Sequence, residues 1–259
     1  MNGKAENGTT DVPEANGEAK PRQAQALPKR FYKDVAVTDE GGGAGLLLDG
    51  KPVRTPGKAP LAVPTKTLAE AIAEEWRAQG EHIDPRTMPL TKLANSAIDG
   101  VAGRTATVID DIMAHAGADL LCYRASGPEG LLAAQAAHWD PIVDWAKDAL
   151  DAPLNLAEGV VHVPQPDTSL AAIRKELEGL DAFALAALHV MTSLTGSALL
   201  ALAVAKKRLD PDAAWDAAHV DEDFQIGQWG EDAEAKDRRA ARKRDFDAAA
   251  RTLRLSTPD

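Results

Sequence analysis

The chain has 259 residues, of which 44% are hydrophobic, and a formal net charge of -11. This length suits one large domain, or a large domain with a small one. The negative charge repels nucleic-acid phosphates, so we expect no nucleic-acid partner. A single cysteine, Cys122, excludes an intrachain disulfide framework and a thiolate metal cage. Its apolar neighbours predict a buried, unreactive thiol.

Residues 1–29 contain almost no large apolar side chains. Such a segment cannot bury enough surface to offset the entropy of ordering, so we predict a disordered tail. It has no apolar stretch typical of a secretory signal, and several acidic residues argue against a mitochondrial presequence. These residues are Glu6, Asp11, Glu14 and Glu18. We therefore expect a bacterial cytoplasmic protein.

Residues 30–64 have the pattern of a small antiparallel β domain. A glycine-rich stretch at 41–45 predicts a flexible connection. Asp49-Gly50 follows, a pair that accommodates the positive φ angles of a type I′ hairpin turn. Strands are predicted at 46–48, 51–54 and 61–63. Because so few strands cannot form a large core of their own, the sheet must pack against another element.

From residue 65 onward the pattern is helical, which predicts an α+β protein with a helical domain at 65–259. Thr67, with Glu70 three residues later, is typical of a capping box at the start of the first helix. Asp210-Pro211 is typical of another helix start, with proline in the first turn. Further helices are predicted at 104–123, at 128–150, from Thr168, and from about 231 to 253.

The segment 182–205 has no charged side chain and is long enough to span a bilayer. Its centre is less apolar, because it contains Thr192, Ser193, Thr195 and Gly196. We therefore predict the buried central helix of a bundle, broken near Gly196, and no insertion into a membrane. A membrane-associated assembly factor is the alternative that this segment leaves open.

Asp111, His115 and Asp119 would share one face of a helix, at positions i, i+4 and i+8. Oxygen and nitrogen ligands at that spacing could hold a metal ion, which leaves a metal-assisted hydrolase as an alternative function. No second helix offers a matching acid and histidine, so a solvated polar face is the preferred interpretation. Because the sequence also lacks a phosphate-binding glycine loop and a nucleophile elbow, we predict no enzymatic activity.

The segment 217–231 combines acidic, amide and aromatic side chains. As a helix, it spreads three consecutive acids around the axis, an arrangement unsuited to two-carboxylate catalysis. One interpretation is a solvated acidic face. The other is a protein-binding face, in which a tryptophan anchor is ringed by directional hydrogen-bond acceptors. The residues predicted for this face are Asp221, Glu222, Asp223, Gln225, Gln228, Trp229 and Glu231.

Several separated segments resemble one protein family. They are RFYKDV, LDGKPVRTP, AIAEEWRAQG, DPRTMPLTKLANSAID, DLLCYRA, MTSLTGSALLALA and AHVDEDFQIGQWGEDAEA. From Arg30 to about Leu253, the chain is similar to the assembly chaperones that bind the alpha subunit of the F-type ATP synthase catalytic head. This family includes mitochondrial ATP synthase assembly factor 2 and α-proteobacterial relatives.

The resemblance implies a β part followed by a helical part, without catalysis or a cofactor. It implies that the protein covers the surface by which an unassembled alpha subunit meets a beta subunit, a surface prone to aggregation when exposed. The family depends on an acidic position in the segment matching Asp221-Glu222-Asp223. A family tryptophan falls on Trp76, which continues the apolar stripe of its predicted helix, so we predict a structural role for it. We expect a monomer, located in the cytoplasm of bacteria or, for eukaryotic relatives, in the mitochondrial matrix.

Overall fold

The computed structural model describes residues 27–39 and 41–257. Nearly all of the segment predicted as a disordered tail lies outside these residues. Within them, a small antiparallel sheet precedes ten α-helices, which confirms the predicted α+β class.

The sheet is organised around its second strand. Its strands are β1 (Val35–Asp39), β2 (Ala44–Leu48), β3 (Lys51–Pro52) and β4 (Ala62–Val63). β2 pairs in antiparallel fashion with each of the other three. Asp49 (φ 48°) and Gly50 (φ 75°) turn the chain from β2 into β3, which confirms the predicted hairpin. Leu46 and Leu48 of β2 are buried, so the sheet contributes to the same core as the helices.

The helices follow in chain order, and the longest connections, at 117–128 and 151–166, contain the second small sheet described below. The helices are α1 (Lys66–Arg77), α2 (Pro89–Ser96), α3 (Thr105–Ala116), α4 (Glu129–Leu150), α5 (Asp167–Glu178), α6 (Ala182–Thr195), α7 (Ala198–Ala205), α8 (Pro211–Ala218), α9 (Val220–Trp229) and α10 (Ala233–Ser256). Shorter turns are 3-10 helical at Pro85–Thr87 and Leu120–Cys122, and Ala97–Val101 forms a π-helical turn.

The uncharged segment of the sequence forms the centre of the helical part. Gly196, with φ at 71°, ends α6 in a left-handed conformation that glycine adopts easily. α6 packs against α3, α7 and α10, and every side chain of α7 from Ala198 to Val204 is buried. The predicted central helix with a break near Gly196 is therefore confirmed. Among residues 27–39 and 41–257, no helix has both the length and the apolarity needed to cross a membrane.

Several helix starts depend on side chains that cap the first turn. The Asp210 carboxylate accepts a hydrogen bond from Asp212 N at 2.9 Å, which confirms the start predicted for α8. α1, in contrast, is capped by Thr65, so the capping box predicted at Thr67 is wrong. Thr168 likewise lies inside its helix instead of capping it. Thr65 and Thr67 have the same side chain, so only the backbone conformation determines which of them caps α1.

The helix predicted over 104–123 ends at Ala116. Gly117 and Ala118 leave the helix, and Asp119 then caps the next 3-10 turn through a 3.1 Å hydrogen bond from Leu121 N. Glycine and aspartate are poor residues for a helix interior, which favours this early end. Asp119 therefore does not share a helical face with the residues before it.

Polar contacts help to join the first part of the chain to the helices. The hydroxyl of Tyr32 donates a 2.7 Å hydrogen bond to the carbonyl of Trp76 in α1, and the two rings lie 5.6 Å apart. Asp99, in the π-helical turn, accepts hydrogen bonds from the Thr55 hydroxyl at 2.6 Å and from Gly57 N at 2.8 Å. A Cβ atom at Gly57 would lie 2.6 Å from the Asp99 carboxylate, so this approach requires glycine.

A second small sheet, which the sequence did not predict, lies beside α4. β5 (Tyr123–Arg124) and β6 (Ala157–Glu158) pair in parallel. The Arg124 guanidinium lies 2.7 Å from the Asp140 carboxylate of α4. Strands of two residues have little stability by themselves, so this attachment to α4 holds them in place.

Candidate functional site

α9 and α10 meet at a sharp corner formed by residues 229–232. Gly230 ends α9 with a φ of 86°, a conformation that favours glycine. The Asp232 carboxylate then accepts a 2.9 Å hydrogen bond from Ala235 N and starts α10. The glycine and the capping aspartate leave the side chain of Trp229 at the corner, where it is 87% exposed.

The three consecutive acids of α9 point in different directions, as a helix requires. Asp221 accepts a 2.7 Å hydrogen bond from the Nε2 of Gln135, a buried residue of α4. Asp223 forms an ion pair with Arg239 of α10. Two of the three carboxylates therefore hold α9 against its neighbouring helices.

Glu222 has a different environment. One of its carboxylate oxygens lies 4.0 Å from Nε2 of His219. His219 is buried, its Nδ1 lies 2.7 Å from the Trp215 carbonyl, and its ring is 4.0 Å from the Trp215 ring. Burial lowers the pKa of His219, although the Trp215 carbonyl acts in the opposite direction. His219 is thus neutral near pH 7. Among the described residues, Glu222 has no lysine or arginine nitrogen within 4.0 Å, and Arg239, which is paired with Asp223, acts on it only at longer range.

A groove of about 240 Å³ lies between α9 and the start of α10. Its floor is apolar and its rim carries carboxylates and two cations that are already paired, since Lys236 lies 2.9 Å from Glu231 and Arg239 pairs with Asp223. The lining residues are Glu222, Gln225, Ile226, Trp229, Gly230, Glu231, Asp232, Ala235, Lys236 and Arg239. We call this feature the corner groove. An aromatic side chain beside a carboxylate that has no close ion pair suits the binding of a protein surface with apolar and basic groups.

The structure brings only part of the predicted face together. Glu222, Gln225, Trp229 and Glu231 line the corner groove. Asp221 and Asp223 instead make the internal contacts described above, and Gln228 is exposed on α9 without lining the groove.

The sequence analysis missed the two cations that α10 contributes, Lys236 and Arg239. Their basic segment follows the acidic one directly in the sequence. The structure shows that the turn at Gly230 brings the basic start of α10 against the acidic α9.

The hypothetical metal ligands are not brought together. Asp111 is exposed and lies 3.8 Å from His189 of α6. Asp119 is fully buried, and its carboxylate accepts hydrogen bonds from Leu121 N and, at 3.0 Å, from Leu199 N at the start of α7. Across the described part of the chain, no three histidine, cysteine or acidic side chains are grouped as metal ligands. Asp119 thus ties α7 to the turn that precedes β5.

Cys122 is the last residue of that turn and is completely buried. Burial, aided by the nearby Asp119 carboxylate, raises the pKa of the Cys122 thiol to about 12. A thiol with such a pKa is protonated at neutral pH and is a poor nucleophile. The predicted burial of the cysteine is confirmed, and its low reactivity stays a prediction.

Trp76 lies on α1, far along the chain from the corner groove. It is partly buried against the common core and contacts the Tyr32 ring. This position links the first sheet to the helices, as expected for a packing residue. That its role is only structural stays a prediction.

Comparison with known proteins matches the chain to one family. The family model described as ATP12 chaperone protein matches residues 29–147. The mitochondrial protein atp12 of Schizosaccharomyces pombe is 24% identical over 214 residues, which cover 78% of this chain and 74% of that protein.

Solved structures extend the similarity over most of the chain. Atp12 from Paracoccus denitrificans is 46% identical with a TM-score of 0.84, and the match covers 89% of this chain and 99% of that one. The Atu1473 protein from Agrobacterium tumefaciens is 51% identical with a TM-score of 0.86, covering 89% and 87% of the two chains. The resemblance found in the sequence is therefore confirmed. This chain belongs to the ATP12 family of chaperones for assembly of the ATP synthase.

Proposed function

We propose that this chain binds the unassembled alpha subunit of the ATP synthase catalytic head and shields the surface by which that subunit meets its beta neighbour. Binding without chemical turnover is sufficient for this task. The observation that carries the proposal is the exposed Trp229 at the corner groove, beside Glu222, whose carboxylate has no lysine or arginine nitrogen within 4.0 Å among the described residues.

The exposed indole supports a role as a binding anchor. A side chain of this size that is 87% exposed contributes little to folding, but it can bury most of its surface against a partner. Anchors of this type commonly contribute 2 kcal/mol or more to binding, roughly a 30-fold change in affinity. The turn at Gly230 and the cap at Asp232 fix the backbone around Trp229, which lowers the ordering cost of binding.

The acids of α9 have two distinct roles in this proposal. Asp221 and Asp223 orient α9 through Gln135 and Arg239. Glu222 faces the corner groove and is the carboxylate that meets a basic side chain of the alpha subunit. Electrostatic attraction of that kind contributes to the rate and the specificity of association.

Titration calorimetry with the purified alpha subunit tests the proposal. We expect the wild-type chain to bind it, and Trp229→Ala and Glu222→Lys each to weaken binding by roughly 30-fold. Glu178→Lys is the matched control for Glu222→Lys, since Glu178 is exposed at the end of α5 and α5 packs on α3. It should bind like the wild type.

Two results would overturn the proposal. The first is a wild-type chain that does not bind the alpha subunit. The second is equal affinity for the wild type and both corner-groove variants, which would move the binding site elsewhere. Addition of purified beta subunit should release the alpha subunit, because both partners are proposed to use the same surface.

A further inference from the structure

The loop at residues 155–165 is closed at its base by a buried side chain. Gln165, which is 7% exposed, accepts a 2.8 Å hydrogen bond from Asn155 N and donates a 3.0 Å hydrogen bond to the Asn155 carbonyl. The Asn155 side chain donates a further 2.9 Å hydrogen bond to the carbonyl of Pro164. We call this segment the valine loop. These hydrogen bonds hold the two ends of the loop together and involve no residue at its tip.

One side of the valine loop is also fixed. β6 lies within it and pairs with β5, and Gly159 N donates a 2.8 Å hydrogen bond to the Arg124 carbonyl. The Tyr123 hydroxyl and the His162 Nδ1 lie 3.1 Å apart. These bonds hold the backbone leading to the tip at Val160.

The tip of the valine loop presents apolar side chains to solvent. Val160 is 97% exposed, Val161 is 75% exposed and Leu156 is 48% exposed. Compact loops of this length normally pack on their own side chains and are frequently functional. Here hydrogen bonds fix the backbone of the loop, but the side chains of Val160 and Val161 remain exposed to solvent. Such a pre-organised apolar surface gains free energy only when a partner covers it.

Hydrogen bonds connect the valine loop to α9. Gly159 is bonded to Arg124, and the next residue, Ala125, donates a 2.9 Å hydrogen bond to the Oε1 of Gln135. The Nε2 of the same glutamine donates to Asp221 at the start of α9. The segment Arg124-Ala125, to which the loop is bonded, and α9 are therefore both attached to the same buried amide of α4. Their relative position is fixed by a continuous chain of bonds.

We propose that the valine loop is a second contact for the alpha subunit, one that covers an apolar patch of that subunit apart from the basic group bound at the corner groove. The inference rests on the proposed function. Composition supports an apolar counterpart, because Glu158 is the only acidic or basic side chain of the loop besides the histidine. An unassembled subunit offers such apolar surface where its neighbour will later pack.

The decisive variants change polarity at the tip without creating a cavity. Val160→Asp with Val161→Asp, and Val160→Lys with Val161→Lys, alter side chains that are at least 75% exposed, so the thermal midpoint should stay near that of the wild type. Both double variants should bind the purified alpha subunit about tenfold more weakly in calorimetry, because both remove an apolar contact. Val160→Ile with Val161→Ile is the matched control and should retain affinity within about twofold.

The outcomes separate this inference from the proposed function. If Trp229→Ala weakens binding while both charged loop variants bind like the wild type, the second contact is refuted and the corner groove stands. A loss with only one sign of charge would indicate long-range electrostatics and would also refute the apolar contact. If the wild-type chain does not bind the alpha subunit at all, the proposed function fails first.

Discussion

Gln135 offers a direct test of how α9 is held in place. The residue is 1% exposed, and its amide joins Ala125 N, at 2.9 Å, to the Asp221 carboxylate, at 2.7 Å. Leucine has a similar volume, so Gln135→Leu removes both hydrogen bonds with little change in packing. A neutral hydrogen bond contributes about 1 kcal/mol and one to a carboxylate about 2 kcal/mol.

Part of this loss will be recovered from water, because Ala125 and Asp221 are only half-buried. We therefore expect the free energy of unfolding to fall by about 2–3 kcal/mol, which corresponds to a drop of roughly 5–10 °C in the thermal midpoint of a protein of this size. Urea unfolding followed by circular dichroism measures the first quantity, and calorimetry measures the second. Gln228→Leu, on the exposed side of α9, is the matched control and should change stability by less than about 0.5 kcal/mol.

A double-mutant cycle then isolates the bond between the two side chains. Once Gln135 is leucine, Asp221→Ala should cost about 1–2 kcal/mol less than it does in the wild type. Alpha-subunit binding should weaken in Gln135→Leu, because α9 loses its anchor on α4. Strictly additive stability costs, or a loss below about 0.5 kcal/mol for Gln135→Leu, would refute the role given to this amide.

Trp76→Ala should lower the free energy of unfolding by about 3 kcal/mol, because it leaves a cavity between the sheet and α1. Tyr32→Phe removes only the hydroxyl hydrogen bond and should lower it by about 1 kcal/mol. Similar losses for both variants in urea melts would contradict the packing role of Trp76. Cys122 should react with a thiol reagent only as fast as the protein unfolds, because burial raises the pKa of its thiol to about 12; rapid labelling of the native protein would show access to solvent. Burial likewise raises the pKa of the Asp119 carboxyl from 3.8 to about 6, against the effect of its hydrogen bonds. The folded state therefore binds a proton more readily than the unfolded state. As the pH rises from about 4 to about 6, the wild type should lose about 2 kcal/mol relative to Asp119→Asn, measured by urea unfolding at each pH. A difference that stays constant would show that the hydrogen bonds offset the effect of burial.

The sequence predicted those elements whose signals are local. The hairpin at Asp49-Gly50 and the start of α8 at Asp210-Pro211 each depend on a few adjacent residues with special backbone preferences. The break at Gly196 was predicted for the same reason. The cap of α1 at Thr65 could not be distinguished from one at Thr67, because both threonines precede an apolar stripe.

Features that depend on distant partners could not be read from the pattern. β5 and β6 are only two residues long and are separated by the whole of α4, so neither gives a periodic signal. Asp119 was placed on the helix predicted over 104–123, but Gly117 ends that helix first.

The acidic segment was predicted correctly as a helix whose carboxylates diverge. The sequence could not indicate that Gln135 and Arg239 engage two of them, because these partners lie on other helices. The roles of the individual residues, the monomeric state and the bacterial cytoplasm stay predictions.

The π-helical turn at Ala97–Val101 constrains how this chain can change in length. A π turn carries one residue more than an α-helical turn, and this extra residue sets the direction in which Asp99 reaches Thr55 and Gly57. Deleting one residue here would restore α-helical geometry and rotate the aspartate by about 100° around the helix axis. At Gly41 and Gly42, an added Cβ atom would meet no atom of the described residues within 4 Å. Evolutionary insertions and deletions should therefore accumulate at that glycine connection and be excluded from the π turn.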